Sequence, residues 1–461
     1  MQKKKNFEKF WKLGREEWNT QIFGVSKDSE LVVREGNYQY NIYDLVEKFG
    51  SPLEVMFPFV VEKRYYDLVQ NFNFYIKDYG YKGRFFYHYP MKVNQNKEVV
   101  LPLVSEGANL ETSSYNELWL VRKLWEQDQF HSHIKVICNG PKTEKYLALI
   151  KELQEKGLLI IPIIEDFNEY EALKKYRGDV GVRVKLGVRI KSSHWDKKND
   201  RYGLEPQEIY DLGRLRNLKI LHYHIGSQTM SEADLVVAAQ KATEIYCHLK
   251  KISPSLDSLD IGGGFAIPYE KKKHYNTGSV VKKIIGVIGK VCDSEQVQHP
   301  NIVCEWGRHM VAPAQITIFK ILCEKPIHRA AAKKWYIIDG SFMNDLIDTW
   351  AIHQRWHIAP VNNMRAEKLT RVWLAGSSCD SDDRYTAGGS YILLPRLDDA
   401  SSADCCSRQY IALFDSGAYQ DPLASHHCLL SSPAKIIAQN GVLTLARRRE
   451  TPDEIGRLFG W

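Results

Sequence analysis

Eight apolar, β-rich runs separated by helix-length mixed segments fill the stretch from about residue 55 to about residue 315, at 85–91, 108–113, 134–138, 158–164, 180–186, 220–225, 256–261 and 302–304. Parallel strands can be joined only by crossovers, so strands alternating with helices predict a parallel sheet, and eight is the number that closes one into a barrel. Most runs end in residue types that carry chemistry rather than packing: Lys92, Glu111, Asn139, Glu165, Lys185, His224, then Gly262, Gly263 and Gly264, and finally Glu305 with Arg308. In a (β/α)8 barrel the carboxyl ends of the strands form the active face. An open doubly wound sheet would gather such residues at one crevice instead of placing them after nearly every strand.

From about residue 319 the rhythm changes to short alternating runs at 316–322, 335–338, 371–374, 391–394, 410–414 and 434–438, the pattern of a mainly-β domain. The expected class is therefore α/β: a TIM-like (β/α)8 barrel over 55–318 followed by a Greek-key-like β domain over 319–461. Residues 1–54 form an extension, a helix plus strand material at Val32, Val33 and 38–43 that joins the β domain. Phe7, Phe10, Trp11, Gly14 and Trp18 recur at near-helical spacing, which favours packing against the protein's own body over a membrane surface. Residues 401–404 read as a surface loop, and Thr451-Pro452-Asp453-Glu454 as a helix start.

Composition closes several other routes. With 461 residues and 44% hydrophobic content the chain can bury two or three domain cores. It has no apolar run of membrane-spanning length, and its basic N-terminus lacks the apolar core of a secretory signal, so a cytoplasmic protein without a membrane role is expected. The nine cysteines (138, 247, 292, 304, 323, 379, 405, 406 and 428) are scattered and include no CxxC pair, which fits reduced thiols and no metal site. The net charge of +7 is modest and clusters at the termini, giving little support to nucleic-acid binding.

Lys92 ends an aromatic, strand-like run. At the mouth of a closed site, desolvation and neighbouring cations lower a lysine's pKa and make its amine a nucleophile. The glycines 262–264 after an apolar strand let backbone N–H groups approach an anion, and Arg308 and Ser227 add a charged fork and a hydroxyl suited to a phosphate. Glu305 offers a carboxylate to a heterocyclic nitrogen, and His224 a flat ring to stack on a flat partner. Singly, each feature has an ordinary reading: a solvated lysine, a flexible loop, a packed histidine. Together they are the set that pyridoxal phosphate requires.

At this point the chain resembles a known family, the fold-type III, alanine-racemase-like pyridoxal-phosphate decarboxylases of basic amino acids, and within it the biosynthetic arginine decarboxylases. Pro90-Met91-Lys92-Val93-Asn94-Gln95, residues 222–228, 260–265 and 305–308, Cys379-Asp380-Ser381-Asp382 and Gly417-Ala418-Tyr419-Gln420 carry the match. The resemblance implies that Lys92 holds the cofactor covalently, that His224 stacks on its ring, and that Glu305 pairs with the ring nitrogen. Ser227, Gly262, Gly263, Gly264, Arg308 and Tyr419 would bind the phosphate. Cys379 would return a proton after CO2 leaves, and Asp380 would meet the cationic end of a basic amino acid. Both would come from the neighbouring subunit of a homodimer.

Asp382 and Asp383, with Asp345 or Asp348, offer further carboxylates to a cationic substrate, and 344–357 is the expected specificity segment. Trp306 and Asp200 depart from the residues usual in the family. Arginine, with agmatine as product in polyamine synthesis, is the expected substrate over ornithine, lysine, diaminopimelate or a carboxylated polyamine. A catalytically silent homologue that binds partners, or a racemase, is the answer of a different kind. Retention of Lys92, His224, Glu305 and Cys379 argues against silence.

Overall fold

The computed structural model of the protein describes residues 7–127, 133–188, 200–270, 275–397 and 408–461. The expected loop at 401–404, together with Cys405 and Cys406, lies outside them. The chain divides into a barrel unit, Val61–Ile267 with His274–Met310, and a β unit, Met1–Val60 with Pro268–Lys273 and Val311–Trp461.

In the barrel unit, Phe85–Pro90, Asn109–Thr112, Lys135–Cys138, Leu159–Ile164, Val180–Arg183, Leu218–His222, Ser258–Asp260 and Asn301–Cys304 form a closed barrel. Every neighbouring pair is parallel, and closure comes from the eighth strand lying against the first, with Ile302, Val303 and Cys304 opposite Phe85, Phe86 and Tyr87. The eight expected runs are thus the eight strands. They were legible because helices cover one face and the interior fills the other, which leaves each strand apolar along its length. Ile137, Ile161, Ile163, Ile220 and Val303 form a buried cluster, with Phe86 packed against it.

The helices that follow the strands begin at residues that satisfy the first free backbone donors. Ser114 accepts from the Glu117 N–H, Thr143 from Tyr146, Asp166 from Glu169, Ser231 from Asp234 and Asn276 from Ser279. Each cap fixes the angle at which the chain leaves a strand, and so fixes the strand-end residue before it.

The β unit holds a ten-stranded sheet whose spine is Gln315–Pro326, paired with Leu53–Met56, Lys334–Ile338 and Tyr410–Leu413. Leu53–Met56 also runs parallel to Ala434–Gln439. The units divide at Val60 and Val311, so residues 55–60 and 311–318, expected in the barrel, belong to the β unit. The early strands fall in the β unit, outside its large sheet. Phe23–Val25, Leu31–Glu35 and Tyr38–Asn41 make a three-stranded antiparallel sheet of their own. Trp11 and Trp18 are buried, which places the N-terminal aromatics in the core of this unit, although the helical piece is only Phe7–Trp11. The C-terminal helix Pro452–Leu458 starts at Thr451 with the expected reciprocal Glu454 cap.

Candidate active site

Lys92 lies in the single turn Met91–Val93 that directly follows the first barrel strand. That turn packs on the start of the segment after the eighth strand. A Cβ on Gly307 would come within 2.6 Å of both Pro90 Cγ and Val93 Cγ2, so only glycine lets the two strand ends approach this closely. Trp306, the unusual residue before it, is buried and stacks on Phe265 with centroids 4.1 Å apart. The Lys92 charge acts on Glu117 and Glu305, drawing both carboxyls down against the upward push of burial.

Glu305 is one of three buried groups that meet inside the barrel mouth. His222 Nδ1 is 2.9 Å from Asp260 Oδ2 and 3.8 Å from Glu305 Oε1, and Asn139 Nδ2 donates to Glu305 Oε1 at 2.9 Å. Burial, then the neighbouring Asp260 charge, pushes Glu305 up to about 8. Burial likewise raises Asp260 to about 7 and lowers His222 to about 4, despite the carboxylate beside it. The donor atoms of the three residues lie within 4.8 Å of one another, a spacing a cation could use. Their existing hydrogen bonds, including Asp260 Oδ1 to the Gly262 N–H at 2.8 Å, already account for the arrangement. His222 and Asp260 escaped the sequence reading. Both are the last residues of their strands, and the signal was parity: His222 stands two positions before His224, on the same side of an extended chain.

The glycine run only partly fits the expected phosphate cradle. Gly262 has φ +60, and a Cβ there would sit 2.2 Å from the Tyr223 carbonyl oxygen, so the close turn demands glycine. Its N–H is given to Asp260, however, and the Gly263 N–H goes to His224 Nδ1 at 3.1 Å. These two amides orient the site's own side chains instead of facing an anion. Two of the side chains expected at the phosphate do meet: Arg308 Nη2 is 3.4 Å from Ser227 Oγ.

Two buried acceptors nearby, Glu111 Oε2 and Asn139 Oδ1, have no hydrogen-bond partner among the described residues. Buried acceptors left in this state mark a place for a ligand that brings donors. With an amine at Lys92, a carboxyl at Glu305 and a guanidinium at Arg308, the set fits a planar heterocycle carrying a phosphate arm.

Behind this cluster lies a second charged layer. Glu165 takes the Gly140 N–H at 2.7 Å and faces Arg183 Nη1 at 3.3 Å, while buried Lys142 pairs with Glu169 at 3.1 Å and donates to the Gly140 carbonyl at 2.9 Å. Arg183, the last residue of the fifth strand, is the buried cation here in place of Lys185. Lys185 lies beyond the strand and pairs with Glu205 at 3.6 Å.

In the β unit, Cys379, Asp380 and Asp382 share one loop. Cys379 is exposed, with its sulfur 3.5 Å from that of Cys428, and the same two segments are joined again by Asp380 Oδ2 and His427 Nε2 at 3.6 Å. Asp382 faces Arg384 at 3.3 Å. It borders a cavity of about 260 Å³ lined also by Trp350, His353, Arg355 and Tyr385, so part of the expected specificity segment does meet an acid of this loop.

The other acids do not serve as expected. Asp383 is buried and accepts the Phe342 N–H at 2.7 Å and the Ser378 N–H at 3.2 Å. Asp345 accepts the Ser341 N–H at 2.8 Å, and Asp348 the Gln420 side chain at 2.9 Å. All three hold loops in place. Tyr419, at φ +70, is followed directly by two fastened residues, Gln420 and then Asp421, which pairs with buried Lys435 and with Arg447 at 2.6 Å. Glu54 completes that network, 3.3 Å from Lys435 and directly opposite it in strand register.

Residues 66–312 match the family described as pyridoxal-dependent decarboxylase, pyridoxal binding domain. A biosynthetic arginine decarboxylase of Phocaeicola vulgatus is 29% identical over 66% of this chain and 53% of its own length. The chain thus spans about half the length of such a curated relative. Among solved structures, the biosynthetic arginine decarboxylase of Campylobacter jejuni superimposes with a TM-score of 0.80 at 21% identity, covering 94% of this chain and 89% of that one. A diaminopimelate decarboxylase of M. jannaschii also reaches 0.80 at 22% identity, covering 95% and 97%. At these identities the superpositions speak for the fold.

Proposed function

We propose a reaction for this chain from one premise: it belongs to the pyridoxal-dependent decarboxylases, and its cofactor is pyridoxal phosphate. The reaction is removal of the α-carboxylate from a basic L-amino acid, arginine in the first place, giving agmatine and CO2 for polyamine synthesis. The observation that carries this reading is the close approach of the turn holding Lys92, after the first strand, to the segment holding buried Glu305, after the eighth strand paired with it.

When bound, the cofactor supplies an electron sink for the pair left behind as CO2 departs. The protein's part is to hold and orient. Lys92 offers the anchoring amine, His224 is fixed by the Gly263 N–H so that its ring can lie against a flat partner, and Glu305 presents its carboxyl to a ring nitrogen. Asn139 and His222 keep that carboxyl in place. Arg308 and Ser227 meet the phosphate, with Gly264 beside them, and Tyr419 is assigned to the same phosphate by the resemblance alone.

Cys379 is assigned the proton that returns to the α-carbon. Asp380 and Asp382 are assigned the cationic end of the substrate. On the family pattern Cys379 and Asp380 act in the partner's site, so a homodimer with shared sites is part of the proposal. Among the described residues no helix is long and apolar enough to cross a membrane, and a cytoplasmic enzyme is proposed.

The test is CO2 release by the cofactor-loaded protein given arginine, ornithine, lysine and diaminopimelate separately. Arginine should be preferred, with agmatine as product. Turnover of another amino acid alone would move the substrate, and inactivity with all four would favour a carboxylated polyamine or a silent homologue.

A further inference from the structure

We propose that Cys379 and Cys428 form a redox-modification site, an intrachain dithiol that peroxide converts to a disulfide and that thereby switches the decarboxylase off. The consequence for activity rests on the role given to Cys379 above, whereas the chemistry of the pair does not.

The two sulfurs are already in contact at 3.5 Å, and both residues are exposed. Closing to a disulfide needs a movement of only about 1.5 Å. The backbone at both ends is loop. Cys379 lies between the strands Leu369–Ala375 and Arg384–Tyr385, and Cys428 lies in the short turn His427–Leu429 at φ +58.

The approach is built into the unit. Asn344 clamps the second segment, accepting the His427 N–H at 3.1 Å and donating to the His427 carbonyl at 2.9 Å. Asp383 holds the first, and the Asp380–His427 pair ties the two together one residue along from each cysteine. The other close pair among the described residues, Cys247 and Cys292 at 3.9 Å, is buried and closed to an oxidant.

The chemistry balances with hydrogen peroxide as the two-electron acceptor. One sulfur attacks a peroxide oxygen and breaks the O–O bond; the departing hydroxide takes a proton and leaves as water, giving a sulfenic acid. The second sulfur then displaces that oxygen, which leaves as another water, and the S–S bond forms. Two thiols are oxidised and one peroxide is reduced. The disulfide has no proton to give, so the assigned donor is removed without any change in the cofactor site.

The experiment treats the cofactor-loaded protein with hydrogen peroxide, alkylates remaining thiols, and maps the digest by mass spectrometry beside a decarboxylation assay. The expected result is a linked pair of peptides joining Cys379 to Cys428, lighter by two hydrogens. Activity should fall by more than about tenfold and return with dithiothreitol. Cys428→Ser should keep untreated activity and give no linked peptide, and after peroxide its Cys379 should be trapped by dimedone as the sulfenic acid.

If both thiols remain alkylatable after peroxide, or if the link forms while activity is unchanged, the proposal is overturned. Peroxide-treated Cys428→Ser in which Cys379 stays an unmodified thiol would overturn it as well. Should the protein decarboxylate nothing, the peptide map still decides the dithiol, so the two failures are separable.

Discussion

The barrel unit and the β unit hold their candidate residues in opposite ways. In the barrel, Glu305, Asp260 and His222 are buried at strand ends and joined to one another, so their protonation is set by burial and by mutual charge. In the β unit, Cys379, Asp380 and Asp382 lie on a loop with solvent contact, while the buried acids around them, Asp345, Asp348 and Asp383, accept hydrogen bonds from backbone and side chains. On the proposed function the difference divides the work: the barrel would fix a cofactor, where displacement is costly, and the loop would meet a substrate that must come and go. A buried carboxyl can hold a shifted pKa, whereas an exposed one serves by a charge that water screens.

Breaking the barrel side should have the largest effect. Lys92→Ala should lower turnover by about a thousandfold or more, measured as CO2 release with cofactor in excess, and abolish visible cofactor absorbance. An unchanged rate would dissolve the contrast, because no anchor would then lie in the barrel.

Next comes structural anchoring, which both units achieve with a buried lysine: Lys142 beside Glu169, and Lys435 between Glu54 and Asp421. Lys435→Met leaves Glu54 and Asp421 buried with Arg447 as their remaining cation and should cost about 3 kcal/mol in denaturant unfolding. Lys142→Met should act in the same direction. A loss below about 1 kcal/mol at either site would mean that the network is not what fixes its segment.

On the loop side, Cys379→Ala should slow decarboxylation by about ten- to a hundredfold while leaving the bound cofactor's spectrum intact. Wild-type turnover in that variant would remove Cys379 from the chemistry.

The smallest effect sharpens the contrast through pH. Burial lifts Glu305 from the ordinary carboxylate range to about 8, so the folded, cofactor-free protein holds a proton that the unfolded chain has released. Stability should therefore decline as pH rises from about 5 to about 8, and Glu305→Gln should flatten that decline in thermal unfolding. Asp382→Asn, on the exposed loop, should leave the slope as it is.

Much of this was legible in the sequence, for reasons that differ by region. Barrel strands read as apolar runs because both faces are covered, and position at a strand end singled out Lys92, Glu305 and Arg308. His222 and Asp260 were missed because a polar residue closing an apolar run looks like its boundary; only the two-residue parity of the strand shows it turned inward. Leu53–Met56 was missed for another reason: its partners are Gln315–Pro326 and Ala434–Gln439, hundreds of residues away, and no local pattern announces such pairing. Asp345 and Asp383 read as substrate carboxylates because the sequence does not distinguish an acid facing a ligand from one accepting a backbone N–H. The division of labour between the glycine amides was likewise beyond it. Three glycines announce a tight turn, but which N–H goes to Asp260 and which to His224 depends on the neighbouring strand.

The central claim is that Lys92 anchors pyridoxal phosphate in the barrel mouth, and borohydride reduction of the loaded protein tests it most directly. The account predicts loss of the visible absorbance and a phosphopyridoxyl mass fixed on the peptide that carries Lys92. The label on another lysine, or no covalent label at all, would contradict it.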